Sequence, residues 1–221
     1  MANSDTIGSA AGTSTVPSGQ PRVSDTAGEW RRALPALQND VVTLREPAPA
    51  DALALLTALP EYGLHEIVSD APAPTVAGVQ SFIERLAVDR RSGSLRCWVI
   101  VAADSDMPVG LIALRSLDQG GAAAEGGAVI APELRGTPIF HAAARLVLDA
   151  FFQRMGGHRV EFRVDVRNGR ANGALRKLGA SQEGLLRRAR RAADEFHDQL
   201  LWAIVASDWR QPRQSGSVRI H

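Results

Sequence analysis

The sequence predicts an α/β fold in which at least one pair of neighbouring strands is joined by a parallel crossover. Apolar runs and two-residue alternations, typical of strands, are interspersed with segments whose apolar residues recur every three or four positions, as in helices. A strand ending at Ile130, a short loop and a helix from Pro138 precede another strand, which indicates a parallel crossover. The 221 residues, 45% hydrophobic and 22% charged, suffice for one domain with a core.

The first half of the chain predicts one strand followed by two helices. The strand covers residues 40–45 (DVVTLR), and the first helix covers 49–59 with an aspartate near its start. A second helix over 75–89 has its apolar residues at helical spacing. Between the two helices, residues 62–74 are expected to form an irregular segment with a proline-rich exit.

Three strands are predicted in the middle of the chain. Residues 97–102 are a continuous apolar run, residues 104–108 (DSDMP) make a turn, and residues 109–114 form the partner strand of a hairpin. After a break rich in glycine and alanine, a third strand covers 125–130. This strand leads into the loop before the next helix.

The helix that begins at Pro138 has two distinct predicted faces. Proline suits the first turn because its missing N–H has no intrahelical acceptor there. The buried stripe is predicted to comprise Ile139, Ala142, Ala143, Leu146, Val147, Ala150 and Phe151. The solvent face is predicted to comprise His141, Arg145, Asp149 and Gln153.

The last part of the chain predicts a strand, a short helix and two final strands. Residues 160–166 alternate apolar and charged side chains, which is typical of a half-buried strand. Residues 170–178 form a short helix that ends at Gly179, a residue suited to the C-cap. The final strands cover 182–190 and 199–206, so the predicted order is β-α-α-β-β-β-α-β-α-β-β.

Charge and cysteine content exclude several classes of protein. A formal net charge of +1 does not favour binding to nucleic acid or to an acidic membrane. The single cysteine, Cys97, cannot form an internal disulfide, which favours a reducing compartment. No apolar run approaches the ~18 residues that span a bilayer, and the N-terminus has no signal-peptide core. We therefore expect a cytoplasmic protein with no membrane partner.

The domain boundaries follow from changes in composition. Residues 1–29 are rich in Ser, Thr, Gly, Ala and Pro without an apolar period, so we expect a disordered or loosely ordered tail. Residues 30–209 are expected to form the folded domain. Residues 210–221 have the same character as the N-terminus and are expected to form a second tail.

The loop from Arg135 to Phe140 has the features of an anion site. The first amides of a helix lack intrahelical acceptors, and the helix dipole places partial positive charge at that end. Arg135 adds a cation beside the glycine-containing turn. The pattern alone is weak, because strand–loop–helix units are common and most of them bind no ligand.

Four sequence blocks together resemble one family. They are PELRGTPIF at 132–140, NGRANGALRKLGA at 168–180, EGLLR at 183–187 and DQLLWAIVASDW at 198–209. With these blocks, the chain from Val42 to Trp209 resembles the GNAT superfamily of N-acetyltransferases, and within it the RimJ/RimL-type branch. The resemblance implies the GNAT fold, a mixed, mostly antiparallel twisted sheet with a parallel crossover and flanking helices. It also implies transfer of an acetyl group from acetyl-CoA to an amine.

The resemblance further implies which residues contact acetyl-CoA. Amides of the 135–140 loop would receive the pyrophosphate, although Pro138 and Phe140 replace the small residues usual in the family. The strand before the loop would splay from its neighbour and pair with the pantetheine arm. Asn168 would contact the cofactor from the next strand, with Asn172 as a weaker contact. The implied cofactor-binding residues are Ala128, Val129, Ile130, Arg135, Gly136, Thr137, Pro138, Ile139, Phe140, Asn168 and Asn172.

Glu125 is the candidate catalytic base. An acceptor amine must be neutral to attack a thioester, so some group must take its proton. Glu125 lies five residues before Ile130 on the strand that leads to the cofactor, where members of the resembled branch often carry a glutamate. The alternative is a solvated carboxylate in a loop. His141 and His197 are the other titratable candidates, and each is expected at the surface.

The sequence indicates the acetyl donor more clearly than the amine that accepts the acetyl group. The resemblance implies an acceptor pocket built from 62–74 and 191–197, and both segments carry few diagnostic groups. Ala171 and Leu175 stand where relatives carry a serine or a tyrosine acid, so no general acid is assigned. No metal cofactor is expected, and the resemblance raises a homodimer as an expectation.

Three functions are compatible with these observations. The first is acetyl-CoA-dependent transfer of an acetyl group to a primary amine, on a protein or peptide N-terminus or on a small molecule. The second is a catalytically impaired acyl-CoA-binding or regulatory module, suggested by Pro138, Ala171 and Leu175. The third is nucleic-acid binding through the basic run at 187–191, which is disfavoured because no aromatic residues interleave it.

Overall fold

The computed structural model describes residues 26–59, 64, 67, 72–192 and 195–210. Within these residues the helices are α1 (Thr26–Arg32), α2 (Ala52–Ala58), α3 (Val76–Ser92), α4 (Ile139–Gln153), α5 (Gly169–Leu178) and α6 (Ala206–Arg210). The strands are β1 (Leu37–Gln38), β2 (Val42–Arg45), β3 (Leu95–Ala102), β4 (Pro108–Ser116), β5 (Ala123–Ile130), β6 (Arg159–Asp165), β7 (Ser181–Ala192) and β8 (Glu195–Val205). Short 3-10 turns at Pro49–Asp51 and Pro132–Leu134 precede α2 and α4.

The strands form one sheet in the order β1-β2-β3-β4-β5-β6-β8-β7. Every neighbouring pair is antiparallel except β5 and β6, which run parallel because α4 crosses between them. The mixed, mostly antiparallel sheet and its parallel crossover confirm the predicted fold class. The predicted order of strands and helices from β2 to β8 is also confirmed.

The sheet is covered on both faces, and each face has its own apolar cluster. On one face, which we call the α3 face, Phe82 of α3 packs in a cluster with Val99 of β3. On the other, which we call the α4 face, Phe151 of α4 packs in a cluster with Trp98. α1 reaches the α4 face, where the rings of Trp30 and Trp98 meet edge-on at 6.2 Å. The alternation of side chains along each strand therefore assigns every strand residue to one of two environments.

α4 is buried over a wider arc than its apolar spacing predicts. Ala144, Leu148 and Phe152 are buried in addition to most of the predicted stripe, whereas Ala142 and Leu146 of that stripe are only half-buried. His141, on the predicted solvent face, is also half-buried. α6 contributes to this, because Trp209 lies against Phe152 with ring centroids 6.1 Å apart. No helix in the described part of the chain combines the length and the apolar character needed to cross a bilayer.

Two boundaries differ from the predictions. α1 begins at Thr26, inside the predicted tail, because packing of Trp30 against the sheet stabilises a helix that the local composition does not indicate. β7 and β8 are longer than predicted, so most of the predicted loop at 191–197 is strand. Backbone pairing across the hairpin extends both strands through charged residues that show no apolar alternation.

Several predictions fall outside the described residues. These are the tails over 1–25 and 211–221, and most of the irregular segment 62–74.

Candidate functional site

β5 and β6 separate from each other partway along β5. Their parallel pairing covers only residues 123–125 of β5, opposite 159–161 of β6. β4, in contrast, stays paired with β5 as far as Ile130. The backbone of residues 126–130 therefore faces an opening in the sheet on its β6 side, and we call this opening the β5–β6 gap. It is the divergence that the family resemblance implied.

The side chains of the gap-facing strand point away from the opening. Ala128 and Ile130 lie on the α4 face, whereas Val129 is buried on the α3 face. Only the backbone groups of these three residues are thus presented to the gap. A ligand lying there would meet the same N–H and C=O groups that a neighbouring strand would use.

The loop at the open end of the gap presents amide groups to solvent. Gly136 has a φ of +93°, in the left-handed region that favours glycine, and its N–H donates to no other residue in the described part of the chain. The N–H groups of Phe140 and His141 lie in the first turn of α4, where no intrahelical carbonyl is available. The loop therefore has the donors that an anion needs.

Two polar side chains shape this loop from inside. The Thr137 hydroxyl donates to the carbonyl of Leu134 over 2.7 Å and accepts from the N–H of Ile139 over 3.4 Å. The Arg135 Nε donates to the carbonyl of Ile130, 3.4 Å away at the end of β5. These contacts tie the loop both to the strand before it and to the helix after it.

The structure accommodates the two residues that depart from the family pattern. Pro138 has φ −63° and ψ −16°, a helical conformation, immediately before α4. Phe140 packs against the α4-face cluster, and its ring meets that of His141 edge-on at 5.6 Å. The core therefore takes up much of the bulk of Phe140, whereas Pro138 removes one N–H from the loop.

The two asparagines at the end of β6 have different surroundings. The Asn168 side chain accepts from the N–H of Ala171 over 3.1 Å and caps α5, as its position predicts. The Asn172 amide is buried, donates to the carbonyls of Asp165 and Asn168 over 3.0 Å each, and accepts from the Trp202 indole over 2.9 Å. The two N–H groups of the Asn172 side-chain amide therefore already have protein acceptors. Asn168 is the more accessible of the two residues predicted to contact the cofactor.

Glu125 lies at the closed end of the gap, on the α3 face. It is paired with Arg115 of β4 and with Glu161 of β6, so it sits within three adjacent strands rather than in a loop. One third of its side chain, 33%, is exposed, and its Oε1 lies 3.9 Å from the Nε of Arg163. Glu125 and the amide loop are thus at opposite ends of the same opening.

Phe162 closes the apex of the gap on the other face of the sheet. A Cβ atom added to Gly126 would lie only 2.3 Å from Cε1 of the Phe162 ring. The ring packs against the α4-face cluster and covers the point where β5 and β6 begin to diverge. Glycine at position 126 is therefore needed for this close approach.

The two histidines occupy positions other than those predicted. His141 is half-buried against α5, and burial, followed by the charge of Lys177, lowers its pKa. His197 lies within β8, and its Nδ1 is 2.9 Å from Oδ2 of Asp165. Arg167 contacts both groups, and its hydrogen bonds to Asp165 are the main reason that the pKa of this carboxyl falls to about 2.

Sequence reasoning missed Phe162 and Arg163. The alternation of β6 shows that the two side chains point to opposite faces of the sheet. Which of them shares a face with Glu125 depends on the register of β5 against β6, a pairing between segments more than thirty residues apart. No local signal carries that information.

This gap between parallel strands, with a carboxylate at one end and a helix start at the other, is typical of acyl-CoA-dependent acetyltransferases. Residues 42–181 match the acetyltransferase (GNAT) domain family, and the chain belongs to this family. It is therefore an acetyltransferase by class, and acetyl-CoA is the acyl donor of that class. No curated protein sequence matches the chain.

Solved structures agree with this assignment. A T. thermophilus protein classed as an acetyltransferase is 29% identical, with a TM-score of 0.66 over 80% of this chain and 93% of that chain. Mycobacterium smegmatis RimJ, in complex with CoA-disulfide, is 26% identical, with a TM-score of 0.68 over 82% and 91%. The microcin C7 self-immunity acetyltransferase MccE, in complex with acetyl-CoA and AMP, is 20% identical (TM-score 0.66, 76% and 93%) and supports the fold alone. The RimJ likeness agrees with the predicted branch.

Proposed function

We propose that this protein is an acetyl-CoA-dependent N-acetyltransferase that acetylates a primary amine, on a protein or peptide N-terminus or on a small molecule. The observation that carries the proposal is the β5–β6 gap, with the amide-bearing loop at its open end and Glu125 at its closed end on the α3 face. The donor would lie along the gap, and the acceptor would approach the apex from the α3 face, where Glu125 lies.

The donor would occupy the gap and the loop. The pantetheine arm would pair with the free backbone groups of 128–130, and the pyrophosphate would accept hydrogen bonds from Gly136 and from the first turn of α4. Asn168 would contact the cofactor at the end of β6. The complex of RimJ with CoA-disulfide supports a CoA ligand at this place.

Glu125 would act as the general base. The amine nitrogen attacks the thioester carbonyl carbon, the C–S bond breaks, and the thiolate leaves with its electron pair. Glu125 takes the proton of the attacking amine, directly or through one water. Leu175, where other family members carry a tyrosine acid, is buried in the core at 3% exposure and cannot protonate the thiolate. The thiolate is a good leaving group, so it can depart without a general acid and then take a proton from solvent.

Substitution of Glu125 tests the catalytic assignment. Glu125→Gln keeps the shape but cannot accept a proton, so kcat should fall by roughly 100-fold or more while the Kd for CoA stays within about twofold. Initial rates with a panel of amines and calorimetric titration with CoA measure the two quantities. Glu29→Gln, an exposed residue of α1 away from the gap, is the matched control. An unchanged kcat would remove Glu125 from the base role.

A catalytically impaired acyl-CoA-binding module is the second candidate. Pro138 removes one donor from the loop, and Ala171 and Leu175 supply no acid. Micromolar acetyl-CoA binding without turnover of any amine or peptide in the panel would favour this candidate. Turnover would exclude it.

A cytoplasmic location and a homodimer stay predictions. The single cysteine supports the first, since one cysteine cannot form an internal disulfide and such proteins are usual in reducing compartments. Light scattering of the purified protein tests the second.

A further inference from the structure

We propose that Arg163 selects acceptor amines that carry a negatively charged group within a few bonds of the nucleophilic nitrogen. This inference rests on the proposed acetyltransferase function and names the chemical class of its acceptor. The anionic group is a carboxylate or a phosphate. It belongs either to the first residue of a peptide or to a small amino acid or amino phosphate.

Arg163 lies at the entrance to the gap on the acceptor side. It is two residues beyond Glu161, the last residue of β6 that pairs with β5. The alternation of β6 places Val160, Phe162 and Val164 on the α4 face, so Arg163 shares the α3 face with Glu125. Its Nε is 3.9 Å from Oε1 of Glu125, so a group bound to one side chain would lie beside the other.

The guanidinium of Arg163 makes only weak ion pairs on the α3 face. It lies 3.9 Å from both Glu125 and Glu161, at the outer limit of an ion pair and beyond hydrogen-bond distance. Among the described residues none accepts a hydrogen bond from it, and 44% of its side chain is exposed. Five N–H donors in a planar fork are therefore available to a ligand.

The neighbouring acids are already engaged by another arginine. Arg159 donates to Glu161 over 3.0 Å and to both carboxylate oxygens of Glu183 over 3.0 and 2.5 Å. This network directs the Glu161 carboxylate toward Arg159 rather than Arg163. Glu183, in turn, is oriented by its two bonds to the same guanidinium.

A second arginine lies across from Glu125 on the strand on its other side. Arg115 is the cross-strand partner of Glu125 on β4 and shares its face, and its Nη2 donates to the carbonyl of Ile67 over 3.0 Å. The candidate base therefore lies between two guanidinium-bearing residues on adjacent strands. An acceptor with an anionic group close to its amine could place that group at the Arg163 guanidinium and its amine beside Glu125.

Matched acceptors that differ only in charge test this assignment. Initial rates at saturating acetyl-CoA are compared for peptides beginning with glutamate or glutamine, for peptides beginning with aspartate or asparagine, and for small amino acids and their amides, each at the same concentration of neutral amine. Charge-assisted bidentate pairing predicts that kcat/KM favours the acidic member by roughly tenfold or more. If the acidic member is preferred only among the peptides, or only among the small molecules, that result identifies the source of the anionic group.

Substitutions of Arg163 separate recognition from structure. In Arg163→Gln the acidic-to-neutral ratio of kcat/KM should fall to about one, and in Arg163→Glu it should invert in favour of peptides that begin with lysine. Arg154→Gln, an exposed arginine at the far end of α4, is the control and should keep the wild-type ratio. An equal loss on acidic and neutral acceptors would show a structural role and overturn the assignment.

The outcomes also separate this inference from the proposed function. Turnover with equal kcat/KM for acidic and neutral acceptors overturns the role of Arg163 and leaves the acetyltransferase intact. Bound acetyl-CoA without turnover of any acceptor overturns the proposed function, and the inference with it.

Discussion

Glu125 owes its position to the pairing of three strands. Arg115 and Glu161 bracket it across β4 and β6, and pairing between β5 and β6 ends at this residue. The next residue, Gly126, accepts the ring of Phe162 against its Cα because it has no side chain. Two adjacent residues therefore define the apex of the gap, one on each face of the sheet.

Gly126→Ala should destabilise the protein and weaken acetyl-CoA binding. The added methyl would lie 2.3 Å from the Phe162 ring, so the ring or the strand must move. Overpacking of this kind typically lowers the free energy of unfolding by about 1–3 kcal/mol, measured by urea unfolding. Gly173→Ala in α5, where a Cβ meets no atom within 4 Å, is the matched control. The double variant Gly126→Ala, Phe162→Leu should recover part of the loss, and an unchanged unfolding midpoint for Gly126→Ala would contradict this account.

At the scale of elements, the junction between β5 and α4 forms the proposed anion site. The 3-10 turn at Pro132–Leu134 and the left-handed Gly136 reverse the chain so that the start of α4 faces the end of the gap. Arg135 and Thr137 hold this geometry through bonds to Ile130 and Leu134. The proposed anion site therefore consists mainly of backbone N–H groups, and the number of these donors depends on which loop residues are proline.

Pro138→Ala should tighten CoA binding. Alanine keeps the helical conformation at this position and adds one N–H to the loop, which a phosphate oxygen can accept. We expect the Kd for CoA to fall roughly three- to tenfold, with a loss of less than about 1 kcal/mol in the unfolding free energy from the freed backbone. Pro132→Ala, in the preceding turn, serves as the control in the same calorimetric titration. A Kd equal to or weaker than that of the wild type would show that the loop donor at 138 does not meet the ligand.

At the scale of the whole molecule, the last hairpin is tied to the rest of the sheet near the candidate site. Residues 199–205 of β8 pair with the whole of β6. At the end of β6, His197 contacts Asp165, which Arg167 also binds. The backbone N–H of Arg167 donates to Asp165 as well, over 2.8 Å. This cluster joins the β6–α5 connection, which carries Asn168, to the final hairpin.

The stability of this cluster should depend on pH in the acid range. Hydrogen bonds from Arg167 lower the pKa of Asp165 from its usual value of 3.8 to about 2. Because the folded-state pKa is lowered, the stabilisation is fully present above about pH 4 and is lost as the pH falls toward about 2. The wild type should therefore lose its stability advantage over Asp165→Asn as the pH falls from about 4 to about 2. The advantage is the difference between the two unfolding free energies, measured by urea unfolding at several pH values. Arg167→Gln should flatten the same difference, and a difference independent of pH would refute the role of Asp165.

The local patterns that the sequence carries were sufficient for most of the fold. Apolar spacing and turn residues predict the elements from β2 to β8 in their observed order, and the run from Ile130 through Pro138 predicts the crossover that makes β5 and β6 parallel. Asn168 and Gly179 cap α5 as their residue types indicate. These features depend on neighbours within a few residues, so a single sequence contains the information.

Only the tertiary structure decides which side chains meet at the gap. Glu125 and Arg163 are brought together by the β5–β6 register, Gly126 and Phe162 by the onset of the divergence, and β7 and β8 are extended by pairing across the hairpin. The buried bond between Asn172 and Trp202 is another contact between distant segments. Register and strand divergence are properties of paired backbones, and a shift of one residue would move every one of these side chains to the other face. The sequence by itself therefore determined the elements and the candidate anion loop, whereas the folded sheet determined which side chains surround Glu125.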